Sequence, residues 1–189
     1  MIQVFTGKHS QFIGDRGITL SELKQQLNVE EEYTDDNLLL ETFLGTAVEA
    51  IENMINGHIQ HKEIIQEIDL EKGNTFYFPI APLVSIQGVK AINPDNQEWE
   101  TVSVVYELTE RYNGFILKFA SLPSNTPSKL QITYEVGYPS NEIPKPLKQA
   151  ILVQAADFYD SERSGYTASG LQKTNLVERL VSPYIRCYW

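Results

Sequence analysis

Along the chain, Leu40, Phe43, Leu44, Ala47, Val48, Ile51, Met54 and Ile55 recur at steps of three and four residues. That is the period of a helix with one buried face. The spacing predicts a helix over about 36–56, with Asp35 or Asp36 as its N-cap. Gly57 should stop it, because glycine takes the left-handed conformation at a helix end without steric cost. Upstream, Leu20, Leu23 and Leu27 give a shorter stripe, opened by Thr19 and Glu22 at the spacing of a capping box. Between the two stripes runs an acidic stretch, Glu30-Glu31-Glu32-Tyr33-Thr34-Asp35-Asp36, read as a solvated turn whose charge suits the positive end of the next helix.

The texture changes over 63–138, where β-branched and aromatic residues are cut by proline, asparagine and glycine. Segments 64–70, 75–78, 84–92, 99–108, 115–119 and 130–136 read as strands, with turns at 93–96 and 112–114. The run Gln131-Ile132-Thr133-Tyr134-Glu135-Val136 alternates polar and apolar, which buries one face and wets the other. Helical signals return after Ile143-Pro144-Lys145-Pro146, where Leu147, Ala150, Ile151, Ala155, Phe158 and Tyr159 mark an apolar face to about residue 162. A last short helix begins at Leu176 and is broken by Pro183. Segregated runs of this kind indicate an α+β fold. The expected architecture is a helical core of two N-terminal and two C-terminal helices, with an antiparallel β insertion between them. One domain should span 1–189: an N-terminal arm or short strand at 1–17, helices at 18–62, the β region at 63–138, and C-terminal helices and tail at 144–189.

Composition narrows the function. Apolar residues make up 42% of the 189, enough for a sizeable core, and the formal net charge of -10 disfavours autonomous, sequence-specific nucleic-acid binding. It leaves room for a protein that encircles DNA without gripping it. The one cysteine, Cys187, cannot form an internal disulfide. The start carries no positive segment followed by a long apolar run, and no stretch approaches the roughly 18 apolar residues of a membrane span. A cytoplasmic protein without membrane attachment is expected.

No catalytic, metal or cofactor site stands out. His58 and His61, with Glu63 nearby, could offer three metal ligands, but the pair is three apart rather than four and follows Gly57. Loop histidines are the plainer reading. Serine in a nucleophile elbow and phosphate-cradling glycine motifs are absent, and Cys187 has no histidine near it in sequence. Aromatic residues are better placed for binding: Tyr166 in the glycine-containing loop 164–170, and Tyr184, Tyr188 and Trp189 in the tail. The tail aromatics could equally pack on their own domain.

Four stretches then carry a family likeness: Ile18-Thr19-Leu20-Ser21-Glu22-Leu23-Lys24; Asp35-Asp36-Asn37-Leu38-Leu39 with its helix; Pro82-Leu83-Val84-Ser85-Ile86-Gln87-Gly88-Val89; and Val136-Gly137-Tyr138 followed by Ile143-Pro144-Lys145-Pro146-Leu147-Lys148-Gln149-Ala150-Ile151-Leu152, with Ala155 and Tyr159. Their order and spacing resemble the head–tail connector (adaptor) proteins of tailed bacteriophages and prophages, over about 18–187. Where that family often ends in a proline-tyrosine-arginine run, this chain has Pro183-Tyr184-Ile185-Arg186, one residue longer.

The resemblance implies a structural virion protein that docks on the portal, receives tail or stopper proteins, and forms a ring of about a dozen subunits through which DNA passes. It implies no cofactor, a place in the virion neck, and assembly in the host bacterial cytoplasm. Candidate contacts with neighbours are Tyr166, Thr167, Ser169, Leu171, Tyr184 and Arg186. The competing readings are a small hydrolase-type enzyme, which predicts a cleft with converging titratable groups, and a monomeric protein-binding module, which predicts an open groove or sheet edge.

Overall fold

The computed structural model describes residues 6–12, 17–70, 74–93, 97–112, 114–121, 129–164 and 175–186. The strands are β1 (Thr6–Phe12), β2 (Lys62–Asp69), β3 (Thr75–Phe78), β4 (Leu83–Ile92), β5 (Trp99–Thr101), β6 (Val105–Arg111), β7 (Gly114–Ser121) and β8 (Lys129–Val136). The helices are α1 (Leu20–Leu27), α2 (Asn37–Ile55), α3 (Lys145–Ser164) and α4 (Leu176–Val181), the last running into a 3-10 turn, Ser182–Tyr184. The fold is α+β, with two helices before and two after the main run of strands. The chain divides into two compact units, one holding 1–14, 60–138 and 188–189, the other 15–59 and 139–187.

The first unit is built from two antiparallel sheets, ordered β1-β2-β8-β4-β5 and β3-β7-β6. The alternation over 131–136 holds: Leu130, Ile132, Tyr134 and Val136 are buried, and the residues between them are half-buried. Ile64 and Ile68 of β2, Val89 and Ala91 of β4, Phe76 and Phe78 of β3, and Phe115, Leu117 and Phe119 of β7 join them in one core shared by both sheets. Phe78 and Phe115 stack with ring centroids 4.5 Å apart, and Tyr134 meets each edge-on at 5.6 and 5.3 Å. Such pairs add about 0.5–1.5 kcal/mol each to the gain from burial. Tyr134 satisfies its buried hydroxyl by donating to Gln66 Oε1 at 2.6 Å, and burial pushes its pKa far above the usual phenol range.

Residues 6–12 form a strand on β2, the second of the two readings of the N-terminal segment. The structure departs from the sequence expectation at one place in this unit. The single strand expected over 99–108 is two: β5 pairs with β4, and β6 pairs with β7 in the other sheet. The change falls at 102–104, where Val102 N–H makes a last bond to Val89 O at 3.1 Å. Val102 and Val104 then pack on the core, so the apolar alternation runs on with no glycine, proline or asparagine to mark the switch.

In the second unit the helical stripes bury as spaced: Leu23 of α1; Leu40, Leu44, Ala47, Val48, Ile51 and Ile55 of α2; Leu147, Ala150, Ile151, Ala155 and Tyr159 of α3. Phe43 and Phe158 meet at 6.3 Å. The capping box is complete, with Glu22 N–H to Thr19 Oγ1 at 3.2 Å and Thr19 N–H to Glu22 Oε2 at 3.0 Å. Asp36 stands at the N-cap of α2 but makes no side-chain cap; its Oδ2 accepts the Tyr159 hydroxyl at 2.6 Å. The left-handed residue ending α2 is Asn56, φ 51, one position before the expected Gly57. Gly57 N–H instead closes back on Glu52 O at 3.1 Å. Asn28 ends α1 in the same way, since asparagine tolerates this conformation better than other non-glycine residues.

Two substitutions test this packing. Tyr134→Phe leaves the buried Gln66 acceptor without its donor, and urea unfolding should show a loss of about 1–3 kcal/mol. Gly137, φ +94, follows β8, and a Cβ there would run into the carbonyl oxygen of Gln60. Gly137→Ala should therefore cost about 2 kcal/mol or more in the same measurement.

Candidate functional site

The histidines do not converge. His58 Nδ1 lies 3.5 Å from Glu52 Oε2, while His61 Nε2 lies 3.2 Å from Glu135 Oε2 in the other unit. Both are partly buried beside a carboxylate rather than free in a loop. Among the described residues no three of His, Cys, Asp or Glu gather as metal ligands, and no helix is long and apolar enough to cross a membrane.

Of the candidate contact residues, Tyr166, Thr167, Ser169 and Leu171 lie outside the described residues. Tyr184 is half-buried in the 3-10 turn after α4. Arg186 is only 5% exposed, and its backbone is tied to the end of α2: its N–H donates to Ile55 O at 3.0 Å, and its carbonyl accepts Asn56 Nδ2 at 3.1 Å. Tyr184 and Arg186 are thus held at one place in the helical unit, although 130 residues of chain separate Asn56 from Arg186.

The same end of α2 is braced by Glu52. This carboxylate is 9% exposed, and its Oε1 accepts the buried Ile59 N–H at 2.9 Å. A second brace lies at the start of the unit. Lys24, 2% exposed, donates through Nζ to Glu31 O at 2.9 Å and Tyr33 O at 2.7 Å. Sequence reasoning passed over both residues. The one signal was position: Lys24 is four residues after Leu20 and Glu52 four after Val48, each on the flank of an apolar stripe.

Between α1 and α3 lies a polar groove of about 470 Å³, lined by Glu22, Gln25, Gln26, Lys145, Lys148 and Gln149 among others. Lys148 Nζ pairs with Glu22 Oε1 at 2.6 Å, and Gln149 Nε2 donates to Gln26 Oε1 at 3.3 Å. Burial pushes the Glu22 pKa up, but the Lys148 bond and charge and the Thr19 N–H together outweigh it and hold the value below the usual carboxylate range. The groove holds Lys145 and Lys148 beside the amides of Gln25, Gln26 and Gln149.

Against known proteins, a family model described as "Head completion protein" matches residues 17–186. No curated protein matches. Among solved structures, the chain is similar to one from the neck of an empty GTA particle computed with C6 symmetry: TM-score 0.75, 18% identity, covering 96% of this chain and 97% of that one. It is also similar to a chain of the virion of a native gene transfer agent particle, with TM-score 0.68, 17% identity and coverage of 90% and 94%. A third, from the neck of a native GTA particle computed with C12 symmetry, gives TM-score 0.65, 18% identity and coverage of 91% and 94%.

The Glu22 carboxylate gives a pH test. A lowered folded-state pKa contributes stability above the unfolded value, and that contribution is lost as pH falls through the folded value. Glu22→Gln keeps the capping geometry and removes the charge facing Lys148. It should cost well under about 1 kcal/mol at pH 7, given the exposure of the pair. The difference from wild type should vanish in urea titrations run below the carboxylate range. With the family model covering nearly the whole described helical unit and the β region as well, the chain belongs to the head completion protein family.

Proposed function

We propose that this protein is a structural head–tail connector subunit that docks on the portal and closes head-to-tail into a ring of about a dozen copies, through which DNA passes. The observation that carries the reading is the family match over 17–186. The similarity to chains from particle necks computed with C6 and C12 symmetry supports the ring. The net charge of -10 suits a channel along which DNA slides, because an acidic surface repels the phosphate backbone. The helical unit forms the ring body in this reading. Tyr166, Thr167, Ser169 and Leu171, with Tyr184 and Arg186 of the tail, contact a neighbour or the portal in this reading. The subunit is made and assembled in the bacterial cytoplasm and ends in the virion neck.

Mixing the protein with the portal protein encoded beside its gene, followed by size-exclusion chromatography with light scattering, tests the reading. A large complex of defined mass, absent from either protein alone, is expected. Failure to form one across salt and concentration would contradict it. Tyr166→Ala with Leu171→Ala should weaken the complex by about 2 kcal/mol or more, the loss typical of an interface anchor. The unfolding midpoint of the isolated protein should stay unchanged.

A further inference from the structure

The acidic turn and the groove on either flank of α1 have opposite chemistry. Glu30, Glu31, Glu32 and Asp35 are all exposed, four carboxylates in six residues. Among the described residues, no cation pairs with Glu30, Glu32 or Asp35. The turn is nevertheless built rather than loose. The buried Lys24 ammonium grips the carbonyls of Glu31 and Tyr33, and Ser21 Oγ donates to Glu31 Oε2 at 3.2 Å. Tyr33 is partly exposed, and Leu38, on the first turn of α2, is 79% exposed. The result is a preformed acidic knob with apolar side chains beside it.

Ser21 and Lys24, which hold the knob, are centred about a third of a turn around α1 from Glu22, Gln25 and Gln26, which line the groove. The groove carries Lys145 and Lys148 against Glu22, with amides that can both donate and accept. Its volume of about 470 Å³ falls within the range of about 300–1,000 Å³ typical of binding clefts.

We infer that the acidic knob of one subunit seats in the α1/α3 groove of the next. Two different patches meeting in this way make a heterologous contact, the kind that generates a ring when its rotation closes. The inference rests on the ring reading above and deepens it by naming the surfaces. Preorganisation matters here, because a knob already held by Lys24 loses little freedom on docking. The carboxylates steer the approach, so the contact weakens with salt.

The test mixes isotopically light and heavy protein, alone at high concentration and with the portal protein, and treats each with a zero-length carbodiimide cross-linker. Mass spectrometry should find light–heavy links between Lys145 or Lys148 and 30–36, fading between about 50 and 500 mM salt. Glu30→Lys with Glu32→Lys, or Lys145→Glu with Gln149→Glu, should each raise the concentration needed for association at least tenfold. All sit at exposed positions, and urea unfolding confirms that each variant folds. The four changes together should restore association at the wild-type concentration, with the amine and acid ends of the cross-links exchanged between 30–32 and 145–149. Absence of the light–heavy links from wild type in both settings, or association of the two-site variants at wild-type concentrations, overturns the inference. Links without a portal complex would leave the knob and groove standing and count against the portal reading instead.

Discussion

The end of α2 is the constraint on which the helical unit depends. Within five residues the chain must stop a 19-residue helix, turn, and leave as buried extended backbone. Asn56 supplies the left-handed turn, and the Glu52 carboxylate accepts the Ile59 N–H that would otherwise be buried unpaired. The same turn holds Arg186 by two bonds, its N–H donating to Ile55 O and its carbonyl accepting the Asn56 side-chain amide. A buried carboxylate is costly unless its lone pairs are used; Glu52 Oε1 accepts a backbone N–H, and its Oε2 stands 3.5 Å from His58 Nδ1. That arrangement gives Arg186 a defined position against the end of α2.

Much of the fold was legible because the apolar spacing agreed with local chemistry. The stripe in α2, the Thr19–Glu22 box and the Pro144–Pro146 entry to α3 each combine periodicity with a start or stop signal. The misses have physical causes. The switch between sheets at 102–104 is invisible because its valines serve the core on both sides of the change. The first segment was left open between arm and strand because its pairing with β2 comes from sequence far away, while Thr6–Phe12 is locally polar and weakly patterned. Asp36 looked like a helix cap, but its carboxylate is taken by Tyr159, 123 residues on.

The site was less legible than the fold. Aromatic residues drew attention to the loop after α3 and to the tail, where exposure is common and contacts are plausible. Lys24 was given no role of its own, and the acidic turn was read as a solvated cap. Only the three-dimensional arrangement shows that Lys24 shapes the turn through its backbone carbonyls while leaving the carboxylates outward.

The most direct measurement of the connector role is electron cryomicroscopy of the assembled particle's neck. The account predicts density for this chain as a closed ring directly beneath the portal, coaxial with the DNA channel. A particle with a complete neck that lacks this chain, or that carries it elsewhere, would contradict it.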